Sequence, residues 1–163
     1  MSRLSIKAKD AMTSNPRACR ADDSLDAAAR IMWEEDCGCV PVVDDDGRPI
    51  AMLTDRDACM AAFTQGRPLK EIPVSTAMSA AIHTCRVDGA IHDIEAIMRQ
   101  HKVRRLPVVD EAGKLQGIVS LNDIVRAHEQ YGRKTVGGEP LLATLGKIGE
   151  HRSGRPSVTH SAE

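Results

Sequence analysis

Two short motifs hold the side chains whose types and spacing best suit ligand chemistry in this 163-residue chain. Thr54 stands three residues before Asp57 (the first motif), and Ser120 stands three residues before Asp123 (the second motif). A hydroxyl and a carboxylate at this spacing are typical of a helix start, where they satisfy the first free backbone N–H groups. The same N–H groups can hold a phosphate, and a carboxylate can accept from both hydroxyls of a ribose. Spacing alone favours the cap and leaves a nucleotide site open.

The rest of the sequence offers little to an enzyme or a metal site. No Ser/His/Asp set, Cys/His set or Gly-rich phosphate loop stands at a useful spacing, so we expect no catalysis. Cys37 and Cys39 form a C-x-C pair, but no second pair follows at zinc-site spacing, so we expect no metal. The pair has two interpretations: small hydrophobic side chains, or an oxidation sensor if one thiol has a lowered pKa.

The composition argues against several kinds of partner. The 22 basic and 23 acidic residues give a net charge of -1, so no overall field favours nucleic acid or a membrane surface. One Phe, one Trp and one Tyr cannot build a platform for stacked bases. Residues 1–10 lack the apolar run of a signal peptide, and no stretch is long enough to cross a bilayer. We therefore expect a cytoplasmic protein whose five cysteines are free thiols.

The chain contains an internal duplication with a period of 66 residues. At that shift, positions 6–66 match the second copy at sixteen places without a gap, whereas unrelated sequences match at about one position in seventeen. The matches include a cysteine, a proline, a turn glycine and a carboxylate in each copy: Cys19 and Cys85, Pro41 and Pro107, Gly47 and Gly113, Asp57 and Asp123.

Each copy predicts the same order of elements, close to βαββα. Apolar residues recur at helical spacing over 25–32 and 91–98, which indicates amphipathic helices. Two apolar runs around a Gly turn predict a β-hairpin in each copy. Pro41 and Pro107 should lie at a sheet edge or a strand start, because proline lacks a ladder N–H. We divide the chain into a first unit (1–66), a linker (67–73), a second unit (74–132) and a tail (133–163) with a short helix at 141–150.

These features resemble the cystathionine β-synthase (CBS) domain, which occurs in pairs as the Bateman module. The resemblance rests on the repeated Pro-Val-Val-Asp strand, the Gly turn and the stretch from Gly117 to Asp123, and it covers residues 6–132. It implies an α/β (α+β) fold in which two βαββα CBS units pack sheet to sheet with pseudo-two-fold symmetry. It also implies two clefts that bind AMP, ADP, ATP or S-adenosylmethionine, and modules that pair into disk-like homodimers.

The resemblance also implies which residues bind the ligand. The ribose-binding carboxylate falls on Asp57 and Asp123, and the neighbouring hydroxyl falls on Thr54 and Ser120. The base would contact small or apolar side chains of the lead-in and of the following strand: Val40, Leu106, Cys19, Thr84 and Cys85. Phosphate contacts fall to two basic side chains of copy two, Arg104 and Arg105, while Arg56 and Asn122 complete the set.

The two clefts should differ in charge. Copy one has Cys37-Gly38-Cys39 where copy two has Val103-Arg104-Arg105. The first cleft therefore lacks that charge unless Arg56 or copy two supplies it. The alternative for Arg105 is a solvated charge at the start of a strand. We expect unequal sites, with one or both occupied.

Two functions follow from these observations. In the first, the chain is a regulatory energy- or metabolite-sensing module, and a bound adenosine nucleotide favours one arrangement of its units and so alters a separate effector protein. In the second, it is a structural module for dimerisation or partner binding, with empty clefts and motifs that act only as helix caps. Replacing both motif carboxylates by Ala separates the two, because only the first predicts that nucleotide binding disappears.

Overall fold

A computed structural model describes residues 6–131 and 144–148 of the chain. Two 3-10 turns, Leu69–Glu71 and Val74–Thr76, separate the first and second copies, and residues 144–148 are helical. The rest of the tail helix predicted at 141–150 lies outside the described residues. The helices and strands are, in chain order, α1 (Ala8–Ala11), β1 (Thr13–Ser14), β2 (Cys19–Arg20), α2 (Leu25–Glu34), β3 (Cys39–Val43), β4 (Pro49–Thr54), α3 (Asp55–Gln65), β5 (Cys85–Arg86), α4 (Ile91–His101), β6 (Arg105–Val109), β7 (Leu115–Ser120) and α5 (Leu121–Tyr131).

The two copies build two sheets with the same internal register. The first sheet has the strand order β2-β3-β4, and the second has the order β1-β7-β6-β5. In each copy the short strand is parallel to its neighbour, and the hairpin is antiparallel: Cys19 pairs with Val42, as Cys85 pairs with Val108. The predicted order βαββα and the fold of two repeated units are confirmed.

Pro41 and Pro107 do not lie at a sheet edge or a strand start, contrary to the expectation. Pro41 lies inside β3, the central strand of the first sheet, and Pro107 lies inside β6. β2 pairs only with Val42 and Val43, so the ladder on that side begins after the proline. Cys19 Sγ donates to Pro41 O at 3.7 Å. The missing N–H therefore costs no ladder hydrogen bond.

The segment that leads into each copy packs against the other unit. Ala8 is fully buried in the second core, and its N–H donates to Gly89 O at 2.8 Å. Ile72 and Val74 are fully buried in the first core, where Leu25 N–H donates to Ile72 O at 2.8 Å. These exchanged segments bury apolar side chains in a core built mainly from the other copy, and so hold the two units together.

The turns of the two hairpins also contact each other. Leu115 N–H donates to Gly47 O at 3.0 Å, and Arg48 Nε donates to Ala112 O at 3.1 Å. Gly47 and its counterpart Gly113 have φ values of 77° and 78°, which glycine adopts without strain. The boundaries drawn at 66, 73 and 132 remain a prediction. Among the described residues, none of the helices combines the length and the hydropathy of a membrane-spanning segment.

Candidate functional site

The first motif is a complete capping box at the start of α3. Asp57 N–H donates to Thr54 Oγ1 at 3.2 Å, and Thr54 N–H donates to Asp57 Oδ2 at 3.1 Å. The Thr54 hydroxyl donates to the same carboxylate oxygen at 2.6 Å. Within residues 6–131 and 144–148, no group donates to the other oxygen, Asp57 Oδ1. The cap thus uses one carboxylate oxygen and leaves the second available to a ligand.

The second motif repeats this geometry at the start of α5. Ser120 N–H and Oγ donate to Asp123 Oδ2 at 2.7 and 2.5 Å, and Asp123 N–H donates to Ser120 Oγ at 3.2 Å. Asp123 makes one further contact that has no counterpart among the described contacts of the first motif. Arg126 Nη2 donates to Asp123 Oδ1. Asp123 is only 6% exposed. Both of its carboxylate oxygens are therefore engaged within the protein.

The hairpins fix the direction of both helices. Each motif begins at the last residue of a hairpin strand, Thr54 of β4 or Ser120 of β7. The next residue ties the helix to the start of the other hairpin strand, because Asp55 N–H donates to Gly38 O at 3.2 Å and Leu121 N–H donates to Arg104 O at 2.9 Å. The free N–H groups of α3 and α5 consequently lie at equivalent edges of the two sheets.

Arg105 belongs to β6, yet its guanidinium lies at the start of α3 in the other unit. A Cβ placed on Gly38 would lie 3.9 Å from Arg105 Nη2 and 3.3 Å from Asp55 Oδ2. Asp55 is the residue after Thr54, so the charge of copy two lies close to the first motif. The sequence analysis left two possible sources of positive charge for the first cleft, Arg56 and a residue of copy two. Arg105 is a residue of copy two that lies near this cleft.

Cys39 occupies the position in copy one that corresponds to Arg105. Burial raises the pKa of Cys39 to about 11, and the guanidinium of Arg105 offsets only part of that rise. The Cys37 thiol donates to Cys39 O at 3.2 Å. A thiol that stays protonated at neutral pH is a poor oxidation sensor, so the hydrophobic interpretation suits Cys39 better.

The residues predicted to contact the base lie mostly in the two cores. Val40 and Leu106 are each 1% exposed. Cys19 and Cys85 are also buried, and burial raises their pKa to about 11 and about 12. Thr84 is half-buried, whereas three of the predicted polar contacts are exposed: Arg56, Arg104 and Asn122. Arg105 is exposed and three motif residues, Thr54, Asp57 and Ser120, are half-buried, so a ligand can reach them more easily than the four apolar or thiol side chains. Asp123 is as buried as those four.

A pair of contacts that the sequence analysis missed holds the lead-in of each copy. In copy one, Arg17 Nη1 lies 2.5 Å from Glu34 Oε2 and 3.4 Å from Glu35 Oε1. In copy two, the residues at the positions of Arg17 and Glu35 are His83 and His101, whose rings stack at 3.6 Å between centroids. Burial lowers the pKa of His83, and His101 lowers it further. Comparing the two copies position by position would have revealed the paired change.

The described residues contain no evident metal site. Across 6–131 and 144–148, no three His, Cys, Asp or Glu side chains lie close enough together to hold a metal ion. The five cysteines are free, and Cys59 is the exposed one.

Two repeated units, each ending a hairpin in a hydroxyl–carboxylate motif, define a tandem module, and its family follows from comparison with known proteins. The chain belongs to the CBS domain family, whose model matches residues 8–63 and again residues 69–129. The predicted family is thereby confirmed.

Known relatives extend over most of the chain. The CBS domain-containing protein YhcV of Bacillus subtilis is 36% identical over 116 residues, which cover 71% of this chain and 81% of that protein. Hypoxic response protein 1 of Mycobacterium tuberculosis is 33% identical over 119 residues, covering 73% of this chain and 82% of that protein. A crystal structure of Hypoxic Response Protein I holds two coordinated zinc ions and has a TM-score of 0.67, covering 74% of this chain and 98% of that one.

One solved structure contains an adenosine nucleotide. The crystal structure of CBSX2 in complex with AMP is 28% identical to this chain, with a TM-score of 0.67. The match covers 78% of this chain and 98% of CBSX2. A tandem CBS module of similar fold and sequence therefore binds AMP.

Proposed function

We propose that this chain is a regulatory module that binds an adenosine nucleotide at its hydroxyl–carboxylate motifs and catalyses no reaction. The observation that carries the proposal is the first motif, where Asp57 Oδ1 accepts from no described group while Arg105 lies nearby. A ribose hydroxyl can donate to that oxygen, and the guanidinium can pair with a phosphate. AMP in CBSX2 supports this ligand class, which here includes AMP, ADP, ATP and S-adenosylmethionine.

The regulatory part of the proposal follows from how the units are joined. The exchanged segments around Ala8 and Ile72 are each buried in the core of the opposite unit. A change in the relative position of the units therefore changes the packing of both cores. A ligand that contacts Asp57 in one unit and Arg105 in the other binds some arrangements of the units better than others. Such differential binding shifts the population, and a separate effector protein in the cytoplasm can read the shift.

We propose a homodimer as the working form. Trp33 on α2 is 88% exposed, and an exposed Trp is typical of an interface core. The equivalent residue of copy two is Arg99, so the apolar surface belongs to the first unit. Light scattering should give twice the chain mass for the wild type and the mass of one chain for Trp33→Arg. A monomeric wild type would contradict this assembly.

Thermal stability with added ligand tests the binding proposal. AMP at a hundred times its dissociation constant stabilises a binding protein by about 2.7 kcal/mol, which corresponds to a rise in Tm of about 5–10 °C. AMP, ADP, ATP and S-adenosylmethionine are compared at millimolar concentration. If no ligand shifts the Tm, the clefts are empty and the structural alternative is correct.

A matched control separates ligand binding from capping. Asp57→Ala removes a cap and a ligand contact together, and the cap alone is worth about 1 kcal/mol. Asp10 also accepts from a capping N–H, that of Lys7 at 3.0 Å, but it lies in α1 and belongs to neither motif. Asp10→Ala should therefore lose stability and keep the AMP-induced shift, whereas the double variant Asp57→Ala/Asp123→Ala should lose the shift. Equal shifts in all forms would contradict the proposed site.

A further inference from the structure

The two motifs differ at the third residue after the carboxylate. Met60 follows Asp57 at that distance, and Arg126 follows Asp123. Residues three apart on a helix lie on the same face, so both side chains can approach the carboxylate. Arg126 does so, because its Nη2 donates to Asp123 Oδ1. A thioether cannot make the equivalent contact with Asp57.

This difference changes what each motif can offer to a sugar. Asp123 Oδ2 accepts from the backbone and hydroxyl of Ser120, and Oδ1 accepts from Arg126. At the first motif, Asp57 Oδ2 is used in the same way, and no described residue donates to Oδ1. A ribose hydroxyl can therefore bind Asp57 directly, whereas at Asp123 it must compete with a guanidinium.

A second difference between the copies acts in the same direction. Arg105 extends from copy two to the start of α3, close to the first motif. The equivalent residue of copy one is Cys39, which is 4% exposed and too short to make the reciprocal approach to α5. The first motif thus has both a free carboxylate oxygen and a neighbouring cation for a phosphate.

We propose that Arg126 is a built-in competitor for the ribose at the second motif, so that the first motif is the tighter nucleotide site. The inference rests on the proposed function and deepens it by ranking the two sites. The Arg126 side chain is 72% exposed and the Asp123 side chain is 6% exposed, so the guanidinium can turn to water while the carboxylate stays in place. Releasing an ion pair of this kind weakens binding by about three- to tenfold.

The order of filling follows from this ranking. A rising nucleotide concentration first occupies the motif of Thr54 and Asp57. The motif of Ser120 and Asp123 is occupied at a nucleotide concentration about three- to tenfold higher, at which the ligand competes successfully with Arg126. The module then responds over a wider concentration range than two equal sites would allow.

Reciprocal exchange of the two residues tests the inference, with AMP as the probe and isothermal titration calorimetry as the measurement. Asp123→Asn leaves the first motif intact, and Asp57→Asn leaves the second motif intact. Arg126→Met is added to the Asp57→Asn form, and Met60→Arg is added to the Asp123→Asn form. Both exchanged positions are exposed, and each receives the residue that its counterpart already carries. Circular dichroism checks that every form is folded.

The expected results are opposite for the two exchanges. Arg126→Met should lower the Kd for AMP at the second motif by about three- to tenfold, and Met60→Arg should raise the Kd at the first motif by a similar factor. Equal Kd values in the Asp57→Asn and Asp123→Asn forms would overturn the inference alone. Weaker binding after Arg126→Met would also overturn it, because Arg126 would then hold the ligand. No AMP binding to the wild type would overturn both this inference and the proposed function.

Discussion

A buried polar pair joins α4 to α5 in the second unit, and the loss of stability on mutation should depend on which of its two residues is removed. Glu95 is 3% exposed, and its Oε1 lies 2.7 Å from His128 Nε2. We expect His128→Ala to lower the free energy of unfolding by about 2–3 kcal/mol, because a buried carboxylate loses its hydrogen-bond partner. The side chain of His128 is itself 26% exposed, so water can replace part of the interaction and keeps the cost below that of a fully buried pair.

The other variants of the cycle should be milder. Glu95→Ala removes the buried carboxylate and leaves His128, which can turn towards water, so we expect a loss of about 1 kcal/mol. The double variant recreates the residues of the first unit, Ala29 and Ala62, and should also lose about 1 kcal/mol. The double variant is then more stable than His128→Ala alone, and the coupling energy of the pair is about 2–3 kcal/mol.

Urea denaturation followed by circular dichroism measures all four forms. In a thermal scan, the loss for His128→Ala corresponds to a fall in Tm of about 5–10 °C. A double variant as unstable as His128→Ala would refute the reasoning, because the loss would then come from packing and not from an unpaired carboxylate.

Three further predictions concern thiols, packing and pH. At pH 7.5, a thiol reagent should label the exposed Cys59 first. Burial raises the pKa of Cys19, Cys39 and Cys85, so labelling of these three thiols before the protein unfolds would contradict the prediction. Ile72→Ala should cost about 3 kcal/mol although it lies in the predicted linker, whereas Lys70→Ala, an exposed control in the same segment, should change unfolding by less than about 0.5 kcal/mol. Because the pKa of His83 is lowered in the folded protein, the unfolded chain binds more protons below about pH 6.5, and stability should fall as the pH falls through that range. The double variant His83→Arg/His101→Glu, which installs the ion pair of copy one, should show a flatter dependence of Tm on pH, and an unchanged slope would exclude the stacked rings as the cause.

Local patterns predicted the parts of the fold that depend on neighbours in sequence. The capping box of Thr54 and Asp57 needs only a hydroxyl and a carboxylate three residues apart, and the same spacing recurs at Ser120 and Asp123. Because the sequence repeats every 66 residues, each helix or strand predicted in one copy could be assigned to the equivalent residues of the other. Two βαββα units could therefore be predicted without knowing how they pack.

Contacts between distant segments could not be predicted in the same way. Ile72 was assigned to a linker because two prolines flank the segment, yet it is fully buried in the first core. The match of Ile6 with Ile72 at the common shift shows that the second copy begins before residue 74, the predicted start of the second unit. Likewise, the sequence showed that Arg105 has a cysteine as its counterpart, but not that its guanidinium lies beside Asp55.

The differences between the copies form contacting groups, and this argues that the two units have separate tasks. An Arg–Glu ion pair in copy one is replaced by stacked histidines in copy two, and the Ala29 and Ala62 positions are occupied by the hydrogen-bonded Glu95 and His128. The second unit therefore gathers paired polar and aromatic side chains, whereas in the first unit no described residue donates to Asp57 Oδ1. Because the segments around Ala8 and Ile72 each lie in the core of the opposite unit, a change of packing in one unit alters a segment that belongs to the other. Unequal halves joined in this way can combine two chemical inputs in one structural change, which two identical, independently folded halves could not do.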